Sequence, residues 1–182
     1  MQRIQKVDAA TAPQKTKDIF AAVKAQMGIV PNLVATMAHA PAAVSGYLGL
    51  AGALGDGALD RKLREQIAVA VAGANACDYC ASAHTLLGKN AGVAAGEIAR
   101  NLSGASNDAR TAAALAFAVK IVRERGHVSD SDLAAVRAAG YSDEEIVEIV
   151  AHVAMNVFTN YFNHIAGTEV DFPLVATQQA AA

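Results

Sequence analysis

Residues 60–89 read DRKLREQIAVAVAGANACDYCASAHTLLGK, and this stretch decides the fold class. Asp60 is a good helix N-cap, because its side chain can accept one of the backbone N–H groups that a helix start leaves free. From Arg61 to about Asn75 the segment carries Leu63, Ile67, Val69 and Val71 in a helical pattern. The cysteines then open a further helix, about Asp78 to Lys89.

Working outward, nearly every segment keeps helical periodicity. Upstream, Thr11 and Pro13 open a helix that runs to about Met27, stopped by Gly28. A second segment follows Pro31 and breaks near Pro41, and a third runs to Leu54 before the Gly55-Asp56-Gly57 turn. Downstream, a short helix is expected over Ala94–Leu102 and a longer one from Asn107 to about Arg125. Another begins in the Ser129–Asp132 segment and stops at Gly140. Ser142 with Glu145 forms a capping box for a last helix from about Asp143 to Ala166. No alternating strand pattern, linker or reliable repeat interrupts this order. The chain reads as one all-α domain, a bundle of roughly seven to nine helices. It divides into an N-terminal helical arm over about residues 1–55, a CxxC core over about 58–166 and a tail over 167–182 that wraps a neighbour or frays.

Composition narrows the function classes. Hydrophobic residues make up 53% of the 182 and charged residues 18%, a globular composition whose apolar excess raises the expectation of a homo-oligomer. The net charge of −2, with no basic run, argues against a nucleic-acid partner. The start lacks the apolar core of a secretory signal, and the most apolar stretch, Ile67 to Ala76, is far short of the ~20 residues of a membrane helix. No membrane partner is expected, and a cytoplasmic location is the default. Gly55-Asp56-Gly57 is too short for a phosphate loop, so no nucleotide cofactor is implied.

The chemistry lies in the only two cysteines, Cys77 and Cys80. A disulfide between them would close almost no loop, so stapling the fold is a poor reason for the pair. Cys77, Cys80 and His84 stand at i, i+3 and i+7, on one helical stripe. Both sulfurs fall in the first turn, where free N–H groups and the helix dipole favour the reactive thiolate. His84, one turn beyond Cys80, can exchange its proton directly or through water. One cysteine can become a sulfenic acid and the other can close a disulfide. Glu65, twelve residues before Cys77 on the preceding helix, is followed by an apolar run and could orient His84, or could be a solvated first-turn glutamate.

The run from Glu65 through Cys77-Asp78-Tyr79-Cys80 to His84 resembles the signature of the alkylhydroperoxidase D family, within the carboxymuconolactone decarboxylase superfamily. The closing segment, Asn160-Tyr161-Phe162-Asn163-His164 through Asp171-Phe172-Pro173, resembles the end of its peroxidase-related branch. The resemblance implies an all-α fold, a trimer or hexamer, and thiol-dependent reduction of hydroperoxides. It implies that Cys80 attacks peroxide, that Cys77 resolves the sulfenic acid, and that Glu65 and His84 relay protons. It also implies an external dithiol reductant, with a lipoyl-type dithiol as the candidate. Tyr79 stands where the best-known members carry a histidine between the cysteines.

Other readings stay open at this point. Cys77, Cys80, His84 and Glu65 could hold zinc, although a second ligand pair of the kind structural zinc sites use is not evident. A redox-responsive interaction protein without turnover is a further alternative. So is a general disulfide oxidoreductase, though the chain lacks the βαβ pattern around a thioredoxin-like CxxC. On the last helix, His152, Asn156, Asn160 and Asn163 form a polar stripe in an apolar run. With Tyr79 they are candidates for a pocket wall or a subunit interface. His164 and Asp171 are expected to tie the tail down, His39 and His127 to lie on the surface, and Met27, Met37 and Met155 to pack in the core.

Overall fold

The computed structural model describes residues 2–177. Among them there are nine helices and no strand: α1 (Gln14–Met27), α2 (Asn32–Met37), α3 (Pro41–Gly55), α4 (Arg61–Ala74), α5 (Asp78–Asn90), α6 (Ala95–Asn101), α7 (Ala109–Arg123), α8 (Asp130–Ala138) and α9 (Asp143–Ala166). Four of the starts, those of α4, α7, α8 and α9, carry a side-chain cap from Asp60, Asp108, Ser129 and Ser142. Asp60 accepts from Leu63 N at 2.9 Å, and Ser142 with Glu145 forms the reciprocal capping box that opens α9.

Helix α4 is the centre. Every residue from Gln66 to Ala72 is buried, because beyond its charged first turns the helix is apolar on nearly all sides and packs against α5, α6, α7 and α9. One side joins Leu63, Ile67 and Val71 to Leu115 and Ala118 of α7, Val136 of α8, and Ile149 and Val153 of α9. The other side joins Ala72 to a second cluster with Phe20, Val23, Val34, Met37 and Val44 from the first three helices, and with Cys77, Tyr79 and Cys80. Ile67 is fully buried, which contributes about 1.5–3 kcal/mol relative to an exposed side chain. Gly73 lets α4 meet the end of α6, since a Cβ there would lie 1.9 Å from the Leu102 carbonyl oxygen.

The tail folds back on its own chain. Asp171 accepts from Asn32 N at 2.8 Å, Val175 N donates to Ser82 Oγ at 2.8 Å, and Thr177 N donates to Asp78 Oδ1 at 2.8 Å. Asp171 therefore does tie the tail down, whereas the His164 side chain is exposed and only its carbonyl is used, by Arg3. The expected fraying at the end of the tail falls on residues 178–182, outside the described residues. Met37 is buried as expected, but Met27 is 44% exposed and with Met155 it lines a cavity described below. Both lie at the rim of the bundle, where helical spacing continues but no neighbouring helix covers it. Helix α3 is apolar along most of its length, yet only Val44 is buried. On α9, Val147, Val150, Phe158, Tyr161 and Ile165 are likewise exposed. No helix among the described residues is long and apolar enough to cross a membrane.

Candidate active site

The two cysteines are placed by a tight connection between α4 and α5. Asn75 ends α4, and Ala76 takes the left-handed conformation at φ +53°. Cys77 N then donates back to Ala72 O at 2.9 Å, and Ala76 N to Gly73 O at 3.2 Å. This is a Schellman closure, normally made with glycine, and an alanine in it costs roughly 1–2 kcal/mol. Cys77 becomes the N-cap of α5, and Cys80 lies in its first turn.

Both thiols are unbridged and buried, at 1% and 2% exposure. Their surroundings differ. Asn163 Nδ2 donates to Cys80 Sγ at 3.2 Å, and Thr159 Oγ1 lies 3.8 Å from the same sulfur. In this arrangement the Thr159 hydroxyl donates to Asn156 O at 3.0 Å, so the Cys80 thiol donates to it. The hydroxyl can rotate to donate when the sulfur is an anion. Asn160 accepts from Asn75 Nδ2 at 2.9 Å, while its own Nδ2 is buried without a partner and lies toward the sulfur.

These groups separate the two thiols. The Cys77 thiol, donating to the Cys80 sulfur, lowers the Cys80 pKa most; burial opposes this, and Thr159, Asn163 and Asn160 add to the lowering. The same hydrogen bond, together with burial, pushes Cys77 up. The first proton to leave the pair therefore belongs to Cys80, which has donors from α9 that Cys77 lacks.

Glu65 and His84 come together as the sequence spacing suggested. His84 Nδ1 lies 2.7 Å from Glu65 Oε2, with side-chain exposures of 20% and 17%. His84 forms no direct hydrogen bond to either sulfur; it flanks Cys80 across a narrow pocket of about 70 Å³ that both line. Tyr79 contributes a wall of that pocket. Its hydroxyl accepts from Leu33 N at 3.0 Å, and its ring meets Phe172 edge-on at 5.6 Å, so it holds α2 and the tail against the cysteines. Among the candidates for pocket wall or interface, Tyr79, His152, Asn156 and Asn160 are all buried within the chain.

His152 and Asn156 face a second cavity, of about 480 Å³, that shares Tyr47, Leu48 and His84 with the narrow pocket. Burial holds the His152 pKa below the usual imidazole range, with Arg64 acting in the same direction, and its Nε2 has no hydrogen-bond partner. Tyr47 bears on both spaces, and burial with Cys80 and Glu65 nearby pushes its phenol up to about 12. Neither Tyr47 nor Thr159 is evident from sequence spacing, because the one belongs to an apolar arm helix and the other is a single hydroxyl among apolar neighbours. Among the described residues no three His, Cys, Asp or Glu side chains are grouped as metal ligands, so the zinc reading gains no donor set.

Three comparisons bear on these residues. A family model described as carboxymuconolactone decarboxylase family matches residues 38–124, which include Glu65, Cys77, Cys80 and His84. The solved structure of an uncharacterized peroxidase-related protein from Ralstonia eutropha JMP134, described as an alkylhydroperoxidase AhpD core, is 29% identical, with a TM-score of 0.83 over 93% of this chain and 92% of that one. A peroxidase-related protein from Silicibacter sp. TM1040 is 24% identical, with a TM-score of 0.80 over 92% of each chain. The same fold occurs in the debrominase Bmp8, solved with 2,3,4-tribromopyrrole, at 22% identity and a TM-score of 0.79 over 94% of this chain and 92% of that one. No curated protein matches the chain.

Proposed function

Because the chain belongs to the alkylhydroperoxidase D-like group of the carboxymuconolactone decarboxylase superfamily, we propose that it is a thiol-dependent peroxidase with Cys80 as the attacking sulfur. The observation that carries this reading is the asymmetry of the pair: Asn163 Nδ2 at 3.2 Å and Thr159 Oγ1 at 3.8 Å, both from α9, face the Cys80 sulfur and not that of Cys77.

The Cys80 thiolate attacks the terminal oxygen of a hydroperoxide. A sulfur–oxygen bond forms, the O–O bond breaks, and Cys80 is left as a sulfenic acid. The departing alkoxide needs a proton. His84, held by Glu65 at 2.7 Å and bordering the pocket, takes the Cys80 thiol proton through water and returns it to this oxygen, releasing an alcohol. Oxidation also changes Cys77. The thiolate that its proton was bonded to is gone, so the main cause of its raised pKa disappears. Cys77 then attacks the sulfenic sulfur, a Cys77–Cys80 disulfide forms, and the hydroxyl leaves as water. A two-electron dithiol reduces the disulfide by exchange. Burial of both sulfurs favours a slender dithiol, such as a lipoyl arm, over a protein thiol surface.

Self-association belongs to the same proposal. The uncovered apolar faces of α3 and α9 are a surface that a homo-oligomer would bury.

Intact-mass measurement after one equivalent of cumene hydroperoxide tests the assignment. Cys77→Ser should gain one oxygen at Cys80, trappable with dimedone, and Cys80→Ser should gain none. Equal oxidation of the two variants would reverse or remove the assigned roles.

A further inference from the structure

The cavity of about 480 Å³ beyond His84 carries charge that the peroxidase step does not use. Its walls are largely apolar, formed by Val23, Met27, Leu48, Leu87 and Met155. Two guanidinium groups from the first turn of α4, Arg61 and Arg64, stand on its edge. Among the described residues the only carboxylate lining the cavity is Glu65, which is engaged by His84. Neither arginine has a carboxylate partner among the described residues.

Arg64 is fixed in position, because its Nη1 donates to the carbonyls of Leu54 and Gly55 at the end of α3. A guanidinium carries five N–H donors, so others remain for a ligand. The placement also runs against the helix dipole. The first turn of α4 holds Arg61, Lys62 and Arg64 beside the single carboxylate of its N-cap, Asp60, whereas the first turn of α9 holds three acids. Cations at a helix N-terminus are unfavourable, and Asp60, engaged by Leu63 N, is one anion beside three of them. Deeper in, the Nε2 of His152, a side chain only 4% exposed, lacks a partner on the cavity wall.

We infer that this cavity binds the body of the substrate, an apolar chain or ring bearing a carboxylate that Arg61 and Arg64 receive. The inference rests on the peroxidase reading only in placing the reactive end of that molecule in the adjoining narrow pocket, beside Cys80. A water-sized unit takes up about 30 Å³, so 480 Å³ admits at most about sixteen of them. A monocarboxylic acid of about ten to twelve heavy atoms, as its hydroperoxide, fits that space.

Decanoate, decanol and decylammonium serve as probes of the reduced, full-length protein. Binding is followed by calorimetry without peroxide, in wild type and in Cys80→Ser. Decanoate should bind at least tenfold more tightly than decanol, and decylammonium more weakly than either. Arg61→Ala should erase most of the preference for decanoate, and Arg61→Lys should restore part of it. Equal affinity for decanoate and decanol, absence of binding, or an unchanged preference in Arg61→Ala would overturn the assignment. Because no oxidation is involved, failure here leaves the peroxidase reading standing. Inert thiols toward peroxide, conversely, would leave a positive binding result intact.

Discussion

Replacing Asn163 by leucine tests how the Cys80 thiolate is held. Leucine has nearly the shape of asparagine, so the change removes the 3.2 Å donor to Sγ, and with it the buried Oδ1 that has no partner. A hydrogen bond to a charged group contributes about 1.5–3 kcal/mol, and one pKa unit is about 1.4 kcal/mol, so its loss raises Cys80 by about one to two units. Cys77, Thr159 and Asn160 still face the sulfur, which places the expected rise at the lower end, about one unit. Below the Cys80 pKa, one unit cuts the thiolate fraction about tenfold, while the more basic thiolate is about threefold more nucleophilic. The variant should therefore react about threefold more slowly at low pH. Above its pKa it should react about threefold faster, because only the nucleophilicity difference remains. The assay is the rate of iodoacetamide alkylation at the Cys80 peptide from pH 5 to 11. Crossing profiles are the expected result. A uniform loss at every pH, or unchanged profiles, would show that Asn163 does not stabilise the anion.

Two further substitutions probe the supports of the site. Glu65→Gln keeps a hydrogen-bonding side chain at His84 but removes its charge; kcat/KM for an organic hydroperoxide should fall by about 100-fold, the low end of what a positioned acid–base group contributes, with thermal unfolding little changed. An unaltered rate would release Glu65 from any part in proton transfer. Gly73→Ala sets a methyl 1.9 Å from the Leu102 carbonyl oxygen, at the upper end of the overpacking range, about 3 kcal/mol. At about 2–4 °C per kcal/mol for a chain of this size, the Tm should drop by about 6–12 °C, and a calorimetric shift within 2 °C would mean that α6 yields freely.

The helices were legible because their signals are local. Asp60 and Ser142 cap the helices that they were expected to open, Ser129 caps the one expected from the Ser129–Asp132 segment, and the capping box of Ser142 with Glu145 forms as read. The pairing of Glu65 with His84 was also within reach, since both ends are fixed by helix spacing and a short turn. The polar wall around the sulfur was only half visible. Asn160 and Asn163 showed as a stripe, but whether it faced a pocket or a subunit depended on how α9 crosses α5, which no local signal sets. Thr159 acts through that same crossing. Tyr47 depended on the arm folding back over α5, a long-range contact between apolar surfaces with little specificity in sequence. Met27 and Met155 misled for a related reason: core-like periodicity records a face of the helix, not whether a neighbour covers it.

The most direct test of the central claim is a rapid-mixing titration of the fully reduced protein with cumene hydroperoxide, counting free thiols as peroxide is added. Both thiols should be lost per equivalent of peroxide, at a rate well above that of free cysteine. Survival of both thiols, or their loss at the rate of an ordinary cysteine, would contradict it.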